Sequence, residues 1–223
     1  MKHYNPTKPI AMTLKHSCIL LLFSFVILAC KNPDPNKQID EGKIENNIYV
    51  SQEVGWRMEI PEGWDIVTLE ETNASNEVGF DVIEDMVDGE IDLSEFKNLL
   101  SFKKNQFNLF SSSSERFIET YENEWEENNI ALKELISDAY TGQGIKSTST
   151  DITTETIDGI KFSVYEFSIY GPDNNIILNQ LAYSALINGY DFAANINYNN
   201  EDDKNEMLNA FKNSTFKKPK SKG

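Results

Sequence analysis

Apolar and polar positions alternate most strictly in the last third of the chain. Residues 152–157 read as a strand ending at Asp158-Gly159, a hairpin-type turn pair. Residues 161–170 follow as a strand weighted by Phe162, Val164, Tyr165 and Phe167, and Gly171-Pro-Asp-Asn-Asn175 turns the chain. Residues 177–187 form another strand, Asn188-Gly189 a second hairpin signal, and residues 190–198 the next strand. Asn200, Glu201, Asp202 and Asp203 then open a helix, with acids at its positive end, and Met207, Leu208 and Phe211 form its inward stripe.

Upstream the pattern is mixed. Residues 48–50 and 56–60 read as short strands, Pro61-Glu-Gly-Trp64 as a turn, and residues 65–69 as a further strand. Val78, Ile83, Met86 and Val87 predict a helix over 76–87. Residues 99–102 and 106–110 predict a strand pair across Lys103-Lys-Asn105. Phe117, Tyr121, Trp125, Leu132, Leu135, Ile136 and Ala139 recur at three- and four-residue spacings, predicting the main helix over 115–140, stopped by Gly142 and Gly144. Ser111-Ser-Ser-Ser114 reads as a loop and N-cap ahead of it. Strands, helix, strand pair, long helix, antiparallel meander and final helix give an α+β fold, a central antiparallel sheet with helices segregated from it. No internal repeat is visible.

The N-terminus follows another rule. Lys15 and His16 precede an apolar run over 19–29 that ends at Cys30. A basic region, a short apolar stretch and a small residue before the junction are the grammar of a secretory signal. The run is short of the ~20 apolar residues a spanning helix needs. Ile27-Leu-Ala-Cys30 resembles the lipobox of bacterial lipoproteins, a resemblance that implies cleavage before Cys30 and acylation of its thiol by palmitate-type chains. Met12 would serve as an alternative start. The polar, proline-broken segment after Cys30 reads as a tether. Lys31-Asn-Pro-Asp34 is a poor match to the acidic display signal of Bacteroidetes-type surface lipoproteins. The expected organisation is a signal peptide at 1–29, a tether at 30–46, one domain at 47–216 and a loose basic tail at 217–223.

Composition narrows the chemistry. Hydrophobic content of 39% and aromatic content of 11% supply one real core. The formal net charge of −16 argues against nucleic acid as partner. Removing 1–29 takes Lys2, Lys8 and Lys15 and no acid, leaving 17 cations against 36 acids, net −19. It also takes His3, His16 and Cys18, all the histidines of the chain and every cysteine but Cys30. A chain cut there has no Ser-His-Asp or Cys-His catalysis and no Cys/His zinc site.

Gly55-Trp-Arg-Met-Glu-Ile-Pro-Glu-Gly-Trp64 resembles the opening strand, Pro-x-Gly-Trp turn and strand of PsbP-like proteins. Ile157-Asp-Gly-Ile-Lys-Phe162, Gln180-Leu-Ala-Tyr183, Asn188-Gly-Tyr-Asp-Phe192 and Phe211-Lys-Asn-Ser-Thr-Phe216 fit the same pattern over about residues 48–216. The resemblance, to the PsbP and Ran-binding Mog-type superfamily, implies a central antiparallel sheet sandwiched between helices and a binding or assembly role without a cofactor. Members include a photosystem II extrinsic subunit, a Ran-binding nuclear transport factor and bacterial lipoproteins. A lipobox departs from the first two, and fold does not carry function.

Four candidate sites remain. Glu84 to Glu95 sets Asp88, Gly89, Ile91, Asp92 and Glu95 where a calcium loop wants them, but Met86 stands where an oxygen ligand belongs, so the expectation is no metal and no cofactor. Acid pairs such as Glu126/Glu127 and Asp202/Asp203 read as solubilising charge. Trp56 and Trp64, flanking the Pro-Gly turn, read as a ligand or partner platform or, alternatively, as edges of the core. The basic tail reads as a weak contact for anionic headgroups. The resulting expectation is a lipid-anchored envelope protein on the periplasmic or surface face. It meets the membrane through acyl chains on Cys30, has no catalytic residues, and serves as a binding or assembly module for an envelope protein. The alternative is a carboxylate-dependent hydrolase or carbohydrate-processing lipoprotein.

Overall fold

Two turns set the meander. Asp158-Gly159 and Asn188-Gly189 take left-handed φ at both positions, 47° with 81° and 55° with 82°, the combination whose twist matches antiparallel strands. They join β8 (Thr153–Ile157) to β9 (Ile160–Tyr170) and β10 (Ile176–Ile187) to β11 (Tyr190–Tyr198). The computed structural model describes residues 34–84 and 92–217. The expected signal peptide, Cys30, residues 218–223 of the tail and most of the calcium-loop-like stretch lie outside them.

The other described elements are β1 (Lys43–Glu45), β2 (Ile48–Val50), β3 (Trp56–Glu59), β4 (Asp65–Ile66), α1 (Leu69–Glu84), β5 (Lys97–Lys103), β6 (Leu109–Arg116), α2 (Glu124–Gly142), β7 (Ser147–Ser149), α3 (Glu201–Lys212) and β12 (Thr215–Phe216). The larger sheet has the order β4-β5-β6-β11-β10-β9-β7, with β8 also on β9, and the smaller the order β1-β2-β3-β12. All pairings are antiparallel. The fold is α+β, with antiparallel sheets and three helices among the described residues.

Side-chain alternation divides the larger sheet into two unlike faces. One presents Phe102, Phe110, Phe162, Tyr183 and Phe192, all buried, to Met207 and Phe211 of α3 and Trp56 of the small sheet. Ring centroids there lie 5.1 Å apart for Trp56–Phe192 and for Tyr183–Phe211. The other face carries α2 and is mixed, with Tyr165 and Phe167 buried on it along β9 and polar contacts elsewhere. Trp125 Nε1 donates to Asp191 at 2.9 Å, the Ser184 hydroxyl donates to Asn129, and the Tyr140 hydroxyl donates to Gln180. These polar pins act together with the aromatic contact of Tyr140 on Phe167, whose ring centroids lie 5.6 Å apart.

Several elements differ from the expected ones. Helix α1 starts at Leu69, not near 76, because Thr68 and Glu71 form a capping box: the Glu71 amide donates to the Thr68 hydroxyl, and the Thr68 amide to the Glu71 carboxylate, both at 3.2 Å. Residues 109–116 are strand, so α2 starts at Glu124 rather than 115 and Ser111 to Ser114 are neither loop nor cap. The strand is held because β5 bulges between Asn98 and Ser101. The Ser112 hydroxyl donates to the Leu100 carbonyl at 2.8 Å and accepts its amide at 3.0 Å, bridging the gap.

Asn36 to Ile44, expected in the tether, belong to the folded body. The Asn36 side chain binds the Ile44 backbone both ways, at 2.7 and 3.0 Å, and Ile44 is buried in the core cluster. Asp40 accepts from the Asn98 amide at 2.8 Å. At the other end the Lys217 amide donates to the Gly55 carbonyl at 2.9 Å. Gly55 sits at φ +77°, and a Cβ there would meet the Lys217 oxygen at 1.8 Å.

Candidate functional site

Strand β6 faces two ways. Phe110, Ser112 and Ser114 point to the aromatic core, while Leu109, Ser111, Ser113 and Glu115 lie on the helix-bearing face. On β11 their cross-strand neighbours are Asn197, Asn195, Ala193 and Asp191. Small polar side chains therefore floor a cleft between α1 and α2. Helix α1 is tied to its side by the Lys103–Glu71 ion pair at 2.7 Å and by Asn76 Nδ2 donating to Asn98 at 2.7 Å. Helix α2 is tied by Trp125, Asn129 and Tyr140.

Two cavities follow β6 along this cleft. One of about 190 Å³ is lined by Val67, Thr72, Ser101, Lys103, Leu109 and Ser111. The other, about 260 Å³, has Phe80, Leu93, Phe96 and Leu132 among its lining residues, and Ala193, Ser113, Glu115 and Asp191 along the strands beneath. Phe80 and Phe96 pack edge to face at 5.3 Å.

Glu115 and Asp191 stand directly opposite on neighbouring strands, which sets their Cβ atoms about 4.5–5.5 Å apart. Burial holds the Glu115 carboxyl above its ordinary range, helped by the negative charges of Asp191, Asp92 and Glu95. Burial also raises Asp191, opposed by the hydrogen bond from Trp125. No described Lys or Arg forms an ion pair with either. Such a pair can share a proton, receive a cation or orient a polar group.

The two tryptophans do not form an exposed platform. Trp56 has no exposed surface, and its Nε1 donates to Ser214 at 2.9 Å inside the core. Trp64 is 7% exposed; its Nε1 donates to Glu206 at 2.7 Å while Lys104 Nζ sits 4.8 Å from the ring. Both rings close the core because the tight Pro61–Gly63 turn folds their strands onto it. Glu126 and Glu127 are exposed on α2, and Asp203 accepts from the Asn200 amide donor and Lys104 at the start of α3. Neither pair converges on a cavity. Among the described residues of the calcium-loop-like stretch, Asp92 accepts the Ser94 amide at 2.9 Å. No group of three or more described His, Cys, Asp or Glu residues is placed to hold a metal ion, and no described helix is long and apolar enough to cross a membrane. A separate polar groove of about 670 Å³ lies between α3 and β3, lined by Asn46, Asn47, Arg57, Glu59, Asn209 and Asn213.

Sequence reasoning missed the Glu115/Asp191 pair. The available signal was the serine run: four small polar residues that alternate faces in a strand leave a floor without bulk.

No protein-family model matches the chain, and no curated protein matches it. Among solved structures it is similar to the cyanobacterial PsbP (CyanoP) of Synechocystis sp. PCC 6803. The TM-score is 0.52 at 11% identity, over 79% of this chain and 98% of that one. The likeness shows a PsbP-like fold.

Proposed function

We propose that the chain is a lipid-anchored, non-enzymatic binding or assembly module of a bacterial cell envelope, held to the membrane through acyl chains on Cys30. The observation that supports this most is the cleft between α1 and α2, where Ser111, Ser113, Glu115 and Asp191 form a polar floor beneath the two helices. Between Ser111 and Glu115 of β6, and between Asp191 and Asn195 of β11, this face lacks the large apolar side chains that fill the opposite one. Two acyl chains supply the stable anchorage that one chain lacks. The test is purification of the anchored protein from membranes: a reproducible partner supports the reading, and strong hydrolysis by the purified protein sinks it.

One observation favours the hydrolase reading, the carboxylate pair itself. Against it, Trp125 occupies an oxygen of Asp191, and burial raises both acids instead of driving their pKa values apart. Glycoside turnover that is abolished by Glu115→Gln would reverse this preference.

A further inference from the structure

We infer that the Glu115 end of this cleft takes a primary ammonium carried on an apolar stem, the ammonium seated between Glu115 and Asp191 and the stem against Phe80, Leu93, Phe96 and Leu132. This rests on the binding-module reading and names its ligand chemistry. The walls are apolar and aromatic, so they favour a hydrocarbon or ring. The floor holds two carboxylates facing each other across the strands, with no described cation to neutralise them. A cation placed between them removes their mutual repulsion and regains the Coulomb energy of a partly desolvated site.

A bare metal ion fits worse. Calcium asks for roughly six to eight oxygen ligands. Here one Asp191 oxygen already accepts the Trp125 indole N–H, and five of the lining side chains are hydrocarbon. Size limits the stem: a cavity of about 150 Å³ holds benzene, so about 260 Å³ accommodates one ring-sized stem and its ammonium. The approach is acidic too. A neighbouring cavity of about 490 Å³ shares Phe80, Leu93 and Phe96 and carries Asp40, Glu77 and Asp81. Such a concentration of one charge sign steers cations inward.

This chemistry reaches a protein as a free amine or as a lysine side chain. Calorimetric titration of the purified full chain with phenethylamine reads the first source, with 2-phenylethanol as neutral control. A capped lysine tripeptide reads the second, against its norleucine analogue. The expected result is at least a tenfold preference for the ammonium member of one pair, and the tighter pair names the source. Glu115→Gln, checked for folding by its melting temperature, removes the preference and leaves the neutral probe unchanged. Ala193→Leu fills the floor and weakens both members. Binding without preference for the ammonium, a preference that survives Glu115→Gln, or no saturable binding of any probe overturns the inference. Those outcomes leave the binding-module reading to its own membrane-purification test.

Discussion

Asp191 stands opposite Glu115 across the β6–β11 pair, and the indole of Trp125, reaching down from α2, is the one hydrogen-bond donor given to Asp191 among the described residues. The pair therefore links the register of the sheet, the seat of a helix and the electrostatics of the cleft.

That relationship makes stability depend on pH. Both carboxyls titrate above their ordinary values in the folded chain. The folded state thus holds these protons more tightly than the unfolded one, so their contribution is present at low pH and is lost as pH rises through the raised values. Glu115 feels Asp191, Asp92 and Glu95, and Asp191 feels the Trp125 N–H. Glu115→Gln is expected to raise the melting temperature at pH 7.5 by about 2–4 °C, the equivalent of roughly 1 kcal/mol after screening. The gain should shrink at pH 4.5, where the raised carboxyl takes up its proton more readily. Thermal melts at the two pH values check it.

Trp56 supports the core. Trp56→Ala should cost about 3–5 kcal/mol in urea unfolding, because a fully buried indole and its bond to Ser214 are both lost. Trp56→Phe keeps the ring contacts and should cost less. An unchanged unfolding midpoint for Trp56→Ala would contradict the core assignment.

Helix α2 is held at one edge by polar pins. Asn129→Ala leaves the Ser184 hydroxyl without its acceptor in a buried interface, at a cost of about 1–3 kcal/mol. Hydrogen exchange should quicken along α2 while β9 and β10 stay protected. Uniform quickening across the sheet would contradict this localised picture.

Gly55 fixes the C-terminal strand. Gly55→Ala places a Cβ against the Lys217 carbonyl at a positive φ and is expected to destabilise by more than about 1 kcal/mol. Exchange of the Lys217 amide should rise first, since it donates to Gly55 itself.

The sequence was most informative where both its signals agreed. In β8 to β11, period-two burial and the two turns at Asp158-Gly159 and Asn188-Gly189 mark strands whose ends match the structure closely. It misled in β6, because Ser111 to Ser114 have no apolar alternation and Ser112 is buried by a bond to a bulge that only the fold creates. It also misled at α1, whose start lies in the capping box of Thr68 and Glu71 and not in apolar spacing. Of the cleft, the serine run alone hinted at a floor without bulk; its carboxylate pair could not be read. Glu115 and Asp191 are distant in the chain and meet only through strand register, and each looks like one more acid among 36. Trp56 and Trp64 drew notice as large aromatics beside a turn, yet that bulk is what buries them.

The central claim, an anchored binding module that works through the α1–α2 cleft, is tested most directly by one comparison in membranes. Wild type, Cys30→Ala and Ser113→Trp, which blocks the cleft floor, are each expressed with a fatty-acid probe and purified from solubilised membranes. The account predicts that wild type and Ser113→Trp are labelled and membrane-bound while Cys30→Ala is neither, and that a partner recovered with wild type is lost with Ser113→Trp. Labelling of Cys30→Ala, or the same co-purifying protein with the cleft blocked, would contradict it.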